Sequence, residues 1–378
     1  MTRLGGTTNL SGDPSHDETA VRTAPALLLA GGSTPDGRPS LTVTWQSWVA
    51  RAAVDRSRLT EDNEMCLAPV AAAALAVAEC FAELRGRPEA GRRTVTLDLW
   101  KPDLLVDAET LPGLSAPPLS YAPAGWALVG LGHLGQANAW CIPPAAVHRP
   151  DAGGRRLHYD DYVDTSNQST GVLVRPRDVD HRKTRMVAAA LDELGIRASI
   201  IERRLDDRDS WRPGDPDVGL IGVDAPGPRR GLSKLGWPLI VDAGLGTGAL
   251  GYTEVAIHSF PGPIESQDLP AWQASARPVT DLTKTARAYQ SAVDGGADPC
   301  GIVTLAGRAA AAAFVGVLAA TLAVSEPLRR LHGQSGTAVL TLNVARLGSA
   351  RSSLTPGNTP PIPSLPLGPH AGIPATCA

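Results

Sequence analysis

Cysteine is scarce in this chain of 378 residues: Cys66, Cys80, Cys141, Cys300 and Cys377 are the only five, and they are scattered. No C-x-x-C pair and no even, closely spaced set occurs. A disulfide framework and a cysteine zinc site are therefore excluded, and a reducing compartment fits best. An excess of positive charge is also lacking, with a net charge of -3 and a sequence pI of about 6.2. No electrostatic footprint for nucleic acid or an anionic membrane surface is left. Long hydrophobic runs are missing too. The longest, Ala309 to Val324, is alanine-heavy and too short to span a bilayer. Residues 1–24 are polar and have no apolar core of the signal-peptide kind. These absences make a soluble cytoplasmic protein the expectation, with no zinc, nucleic-acid or membrane partner.

Apolar residues are plentiful, at 43% against 19% charged. The length suffices for about two domains with a sizeable core. Residues 1–24 read as a disordered arm. Residues 25–120 read as an accessory α/β region, either a degenerate partner half or an interaction domain. Its apolar run at Ala26 to Ala30, strand-like Leu41 to Trp48, alanine-rich helix at Cys66 to Leu84 and alternating Thr94 to Trp100 lead to a Pro/Ser-rich boundary at Pro112 to Pro123. Residues 121–347 alternate short apolar strands with helices: strands near 126, 155, 197, 218 and 238, an amphipathic helix over Asp180 to Leu194, and a long apolar helix over Gly301 to Val324. That alternation predicts an α/β fold, a Rossmann-like, doubly wound and mostly parallel sheet. Pro143-Pro144 is expected to cut the first helix short, and Asp180 to cap the second. Residues 348–378 hold seven prolines and read as a disordered tail.

The chain is organised around Trp126-Ala-Leu-Val129 followed by Gly130-Leu-Gly132-His-Leu-Gly135. A short buried strand running into G-x-G-x-x-G gives three glycines separate jobs: a tight turn, room for a phosphate against the backbone, and close helix–strand packing. An ordinary glycine-rich turn would show the same letters. Strand before, helix after and acids at the end of the next strand favour the nucleotide reading. Those acids, Asp160 and Asp161, lie about thirty residues past Gly130, beyond the ~20 usual for dinucleotide enzymes. They suit a ribose hydroxyl, or a solvated strand end. Lys183 opens a helix, where a cation is disfavoured unless solvent or an anion meets it; a triphosphate would. Asp224 closes the fourth strand, where ligands of open sheets bind. It is placed to hold magnesium, to cap the next helix, or both, with Arg229 five residues on.

In order, these features resemble the ThiF/MoeB/HesA adenylyltransferases, relatives of ubiquitin-activating enzymes. Gly130-x-Gly132-x-Leu134-Gly135 resembles their GxGxLG loop. Asp161-x-Val163-x-x-Ser166-Asn167 resembles their DxVxxSN segment. Lys183 falls at their phosphate-contacting lysine, and Asp224 with Arg229 resembles their magnesium-binding segment. The resemblance covers roughly 125–345. It implies ATP-dependent adenylation of a carboxylate, such as the C-terminus of a ubiquitin-like or sulfur-carrier protein or a peptide, with Mg2+ on Asp224 and a homodimeric assembly. It implies nucleotide contacts from Gly130, Gly132, Leu134, Gly135, Asp160, Asp161, Asn167 and Lys183. Cys300, before the long helix, would be either a thioester nucleophile or a packed thiol. The chain departs from the pattern at Tyr159, where the family has Asp, at Thr170, where it has a triphosphate-binding arginine, and at Ala225 for Asn. Arg175, Arg177 and Arg182 are the candidates to replace that arginine. Two competing classes remain open: a non-catalytic nucleotide-binding relative, favoured by Thr170 and Ala225, and a nicotinamide- or flavin-dependent oxidoreductase on the same fold.

Overall fold

The computed structural model describes residues 27–29, 40–55, 57–104, 111–146, 154–246, 251–273, 294, 312–354 and 361–367. The expected arm at 1–24, the helix-like stretch Asp281 to Val293 and Cys300 lie outside the described residues.

The N-terminal region forms a four-stranded sheet in the order β1 (Leu27–Leu29), β2 (Ser40–Gln46), β3 (Val49–Ala53) and β4 (Val95–Asp98). β1 runs parallel to β2 and the other pairings are antiparallel. Helix α1 (Leu67–Leu84) packs on this sheet with Leu67, Ala68, Ala71, Ala72 and Leu75 buried, the three-and-four spacing of one helix face. It is the one helix among the described residues with the length and apolarity of a membrane span, and half of that span is buried inside the protein. Gly86, at φ +72°, lies just beyond its end and donates its N–H to the Glu83 carbonyl at 2.8 Å.

The second sheet has eight strands in the order β13-β12-β11-β10-β9-β6-β7-β8. Five of them run parallel: β6 (Trp126–Val129), β7 (Arg155–His158), β8 (Ser199–Ile201), β9 (Val218–Ile221) and β10 (Leu239–Leu245). The strand seen in the sequence at Glu254 to Phe260 is β11, and it joins antiparallel, followed by β12 (Thr337–Asn343) and β13 (Arg346–Leu354). One face is covered by α2 (His133–Ala146) and α7 (Ala313–Leu331), and α1 packs against these two helices. On the other face Val129, Ile221 and Ile240 meet Leu232, Trp237, Phe260 and Trp272. The fold is thus the expected α/β class, apolar helices on a sheet whose central parallel strands β6, β9 and β10 are buried on both faces.

Helix α7 is buried from Ala313 to Arg329 and touches both halves of the molecule. Its Glu326 carboxylate would be costly there alone. It accepts from Arg329, from Arg330 Nε at 2.7 Å and from the Thr337 amide at 2.7 Å. Arg329 Nη1 reaches the Trp100 carbonyl of the N-terminal region at 3.4 Å. Arg93 crosses the same boundary, from Glu79 at 2.8 Å to the Ala345 carbonyl at 2.8 Å.

Three local expectations change. Helix α2 runs through Pro143 and Pro144 to Ala146; the missing N–H groups cost the Ala139 and Trp140 carbonyls their donors, and the helix continues only two residues past them. Asp180 is not a cap: it sits at φ +67° in a turn, and α4 (Lys183–Asp192) begins after Arg182. The expected disordered tail from 348 is partly ordered. β13 reaches Leu354, and β14 (Ser364–Pro366) pairs antiparallel with β5 (Tyr121–Pro123). Proline-rich segments lack donors, but short edge pairings tolerate them.

Candidate active site

The glycine loop sits where strand β6 gives way to helix α2. Gly130 has φ +81°, and its amide donates to the His158 carbonyl at 3.0 Å. A Cβ there would lie 2.9 Å from the Gly222 backbone. A Cβ on Gly135 would come 1.8 Å from the Gly130 carbonyl oxygen, so only glycine lets helix and strand close. A Cβ on Gly132 would meet nothing within 4 Å. The turn, the packing contact and the open backbone read from sequence are therefore three different residues. The Leu134 side chain is buried and faces Gly222, so only its backbone is left to meet a ligand.

His133 begins α2. Its Nδ1 lies 2.9 Å from the Thr170 carbonyl, which fixes the proton on that nitrogen. Its Nε2 is buried against Gly316 of α7, with no hydrogen-bond partner among the described residues. Burial pushes its pKa down to about 4, partly opposed by the Thr170 bond.

The acidic side of the crevice follows β7. Backbone pairing of Val163 with His181 at 2.8 Å, of Asp180 with Val163 at 2.9 Å and of Lys183 with Asp161 at 3.0 Å brings segments 161–163 and 180–183 together. This ladder delivers Lys183 to the mouth of the crevice. Its side chain is only 7% exposed, its ammonium is paired with the half-exposed Asp161 carboxylate, and Nζ lies 5.6 Å from the Tyr159 ring centroid. Asp160 is held by Arg204 Nε at 3.1 Å.

Asp224 is exposed on the segment after β9. Tyr159 directly follows β7 and precedes Asp160 and Asp161. Its phenol is pushed up to about 12 by burial first, and then by the charges of Asp161, Asp224 and Asp160. The three carboxylates singled out in the sequence thus act on one ring.

Two predicted site residues go elsewhere. Asn167 opens the four-residue helix α3 (Asn167–Thr170) and turns its Oδ1 to the Asp164 amide at 3.0 Å. Arg229 ends α5 (Pro226–Arg229) and faces the core: Nε stands 3.1 Å from Asp242, and Nη2 donates to the Ala243 carbonyl at 2.9 Å. The sequence places Arg229 as a catalytic residue beside Asp224; its guanidinium is instead turned to this buried partner. Asp242 was missed, although a lone carboxylate inside the apolar strand Leu239–Leu245 signals a buried pair.

Comparison with known proteins follows this geometry. A family profile described as the BilD C-terminal domain matches residues 122–334, and one described as the BilD N-terminal domain matches residues 2–99. A curated protein described as bacterial E1-like protein BilD, from Collimonas sp. (strain OK412), is 39% identical over 295 residues. That alignment takes in 77% of this chain and 63% of the relative, so the chain spans less than two thirds of its length. Among solved structures, E. coli MccB is similar with TM-score 0.41 and 15% identity over 61% of this chain and 62% of its own. PaaA is similar with TM-score 0.41 and 15% identity over 61% and 64%.

Proposed function

The chain belongs to the BilD family, and from that premise we propose that it is an ATP-dependent adenylating enzyme of the E1-like kind. Its relative's description as E1-like favours this class over the oxidoreductase reading. The observation that carries the proposal is the nearly buried Lys183 ammonium beside the acidic crevice, with Gly132 presenting bare backbone.

In the proposed reaction a carboxylate oxygen attacks the α-phosphorus of ATP. The new C–O–P bond forms as the bond from that phosphorus to the bridging oxygen breaks, and pyrophosphate leaves with that oxygen. Nucleophile and phosphate are both anions, so the protein's contribution is positioning and charge neutralisation. Lys183 supplies a cation at the crevice. The amides of 131–135 and the N-terminus of α2 favour phosphate oxygens. Asp160, or Asp161 once Lys183 turns to phosphate, accepts from the ribose. Among the described residues no three His, Cys, Asp or Glu side chains gather into a metal site. Mg2+ normally takes one or two carboxylates and completes its shell with water and substrate phosphates. The exposed Asp224 fits that use, and the ion would supply further charge neutralisation there. The proposed substrate class is the C-terminal carboxylate of a ubiquitin-like or sulfur-carrier protein or a peptide, with a homodimer as the assembly and the cytoplasm as the location. Cys300 as thioester nucleophile stays a proposal resting on the resemblance.

The test is ATP–pyrophosphate exchange with carboxyl-bearing partner proteins and peptides. Asp224→Asn and Lys183→Gln should each lower exchange by about a hundredfold or more while the fold is kept. Full exchange in a folded Asp224→Asn protein would remove the metal role. Tight NADH binding with no ATP binding would replace the reading by the oxidoreductase one.

A further inference from the structure

The crevice lacks an arginine at position 170, and a triphosphate held by Lys183 alone would be short of positive charge. Thr170 gives its carbonyl to His133 instead. Most arginines around the site are already neutralised. Arg175 is bidentate to Glu193 at 2.7 and 2.6 Å, and Arg177 lies 3.5 Å from the same carboxylate. Arg185 pairs with Glu202 at 2.9 Å, Arg203 with Asp209 at 2.6 Å, and Arg204 with Asp160 at 3.1 Å. Arg229 is committed to Asp242.

Arg182 differs. Among the described residues no carboxylate lies within ion-pair distance of it. Glu202 feels its charge, but that carboxylate accepts from Arg185 and Thr184. The Arg182 guanidinium carbon stands 4.3 Å from the centroid of the half-exposed Tyr162 ring, and Nη1 donates to the Asp160 carbonyl at 2.7 Å. Residues 162 and 182 also form a backbone bridge, so ring and guanidinium are set by the same ladder that places Lys183. Among the described residues its remaining N–H groups meet no acceptor within hydrogen-bond distance, Nη1 to Asp160 being the bond made. A planar guanidinium stacked on an aromatic and fixed at one edge loses little freedom on meeting phosphate oxygens, which suits it to grip two of them at once.

Resting on the adenylation reading, we propose that Arg182, seated on Tyr162, is the cation that holds the β- and γ-phosphates of ATP in this chain. It thereby replaces the arginine absent at position 170. AMP carries no such phosphates, so the two nucleotides separate a phosphate contact from a structural role.

The experiment is calorimetric titration of the full chain with ATP·Mg2+ and with AMP, for the wild type, Arg182→Gln, Arg182→Lys and the double variant Arg182→Gln/Thr170→Arg. A charged hydrogen bond lost at the phosphates should weaken ATP binding about tenfold to a hundredfold in Arg182→Gln. AMP affinity should stay within about twofold, since its contacts are untouched. Arg182→Lys should recover part of the loss through charge alone, and the double variant should recover it by returning a cation at 170. Equal weakening of ATP and AMP, or unchanged ATP binding in Arg182→Gln while Lys183→Gln loses it, would overturn the assignment and leave the adenylation reading standing. A wild type that binds no ATP would remove both.

Discussion

Arg229 and Asp242 form a buried pair, Nε to Oδ1 at 3.1 Å, with the carboxylate fully enclosed and the arginine side chain 13% exposed. The contact is off the hydrogen-bond direction, and among the described residues His258 Nδ1, at 3.8 Å, is the other ring or cation nitrogen near the carboxylate. The pair is therefore held by charge. Arg229 also packs 5.8 Å from the Trp272 ring, and Arg230 Nε donates to the Trp272 carbonyl at 2.6 Å, so the segment carrying Asp224 is fastened to the sheet through this cluster. Truncating one partner of a buried pair leaves the other charge stranded, typically at about 3–5 kcal/mol. Arg229→Ala should lower unfolding free energy by about that much in chemical denaturation. Replacing both partners, Arg229→Met with Asp242→Leu, should recover most of it. Native stability in Arg229→Ala, with exchange abolished, would return the arginine to the reaction site beside Asp224.

The His133 imidazole gives an acid-side prediction. In the unfolded chain it titrates near its ordinary 6.5, whereas burial holds the folded value down to about 4. The folded state therefore refuses a proton that the unfolded state accepts. The stability linked to His133 is fully present above pH 6.5 and is lost as pH falls from 6.5 toward 4. His133→Gln keeps a donor for the Thr170 carbonyl and removes the titration. Its unfolding free energy should fall less steeply over that interval than the wild type's. Parallel pH profiles for the two proteins would show that His133 is solvated.

The centre of the parallel sheet was legible because its strands are buried on both faces: Trp126–Val129 and Val218–Ile221 are apolar runs with no other use. The glycine loop was legible because each glycine has a steric reason. Strand β3 escaped, since Val49–Ala53 follows β2 through a two-residue turn centred on Ser47, whose φ of +47° is not a signal carried by serine. Of the site, Lys183 and the three carboxylates stood out as charges at strand and helix ends. Arg229 misled because a motif offset says which residues are near in sequence, not which way a guanidinium turns. Only the strand register, with Asp242 opposite Ile221 and His258, reveals where its charge is needed.

Tyr159 gives the alkaline counterpart. Burial and the charges of Asp161, Asp224 and Asp160 hold its proton to about 12, against an ordinary 10. Below pH 10 both states are neutral and the associated stability is complete; it is lost as pH rises from 10 toward 12. Tyr159→Phe should remove this component from the stability profile, and the tyrosinate absorbance of the folded wild type should show one late-titrating phenol. If the site binds magnesium at Asp224, adding the ion should lower the Tyr159 pKa by offsetting one of its neighbours. A phenol that titrates near 10 with all three acids intact would separate Tyr159 from the crevice.

Gly132 and Gly135 offer a matched pair three residues apart. Adding a methyl group to Gly135 drives a carbon to 1.8 Å from the Gly130 carbonyl oxygen, backbone against backbone, and neither side can swing away. Gly135→Ala should therefore destabilise the fold by more than about 3 kcal/mol, the range of severe overpacking, with nucleotide binding lost as a consequence. The same methyl on Gly132 meets no protein atom within 4 Å and no positive φ. Gly132→Ala should leave the unfolding free energy unchanged within about 0.5 kcal/mol, as surface substitutions do. It should nevertheless weaken ATP and AMP about tenfold or more, because the space it fills is the approach of phosphate to the backbone. The comparison is decisive in one direction: if Gly132→Ala binds both nucleotides as the wild type does, phosphate does not lie against this loop, and the open glycine is only a turn.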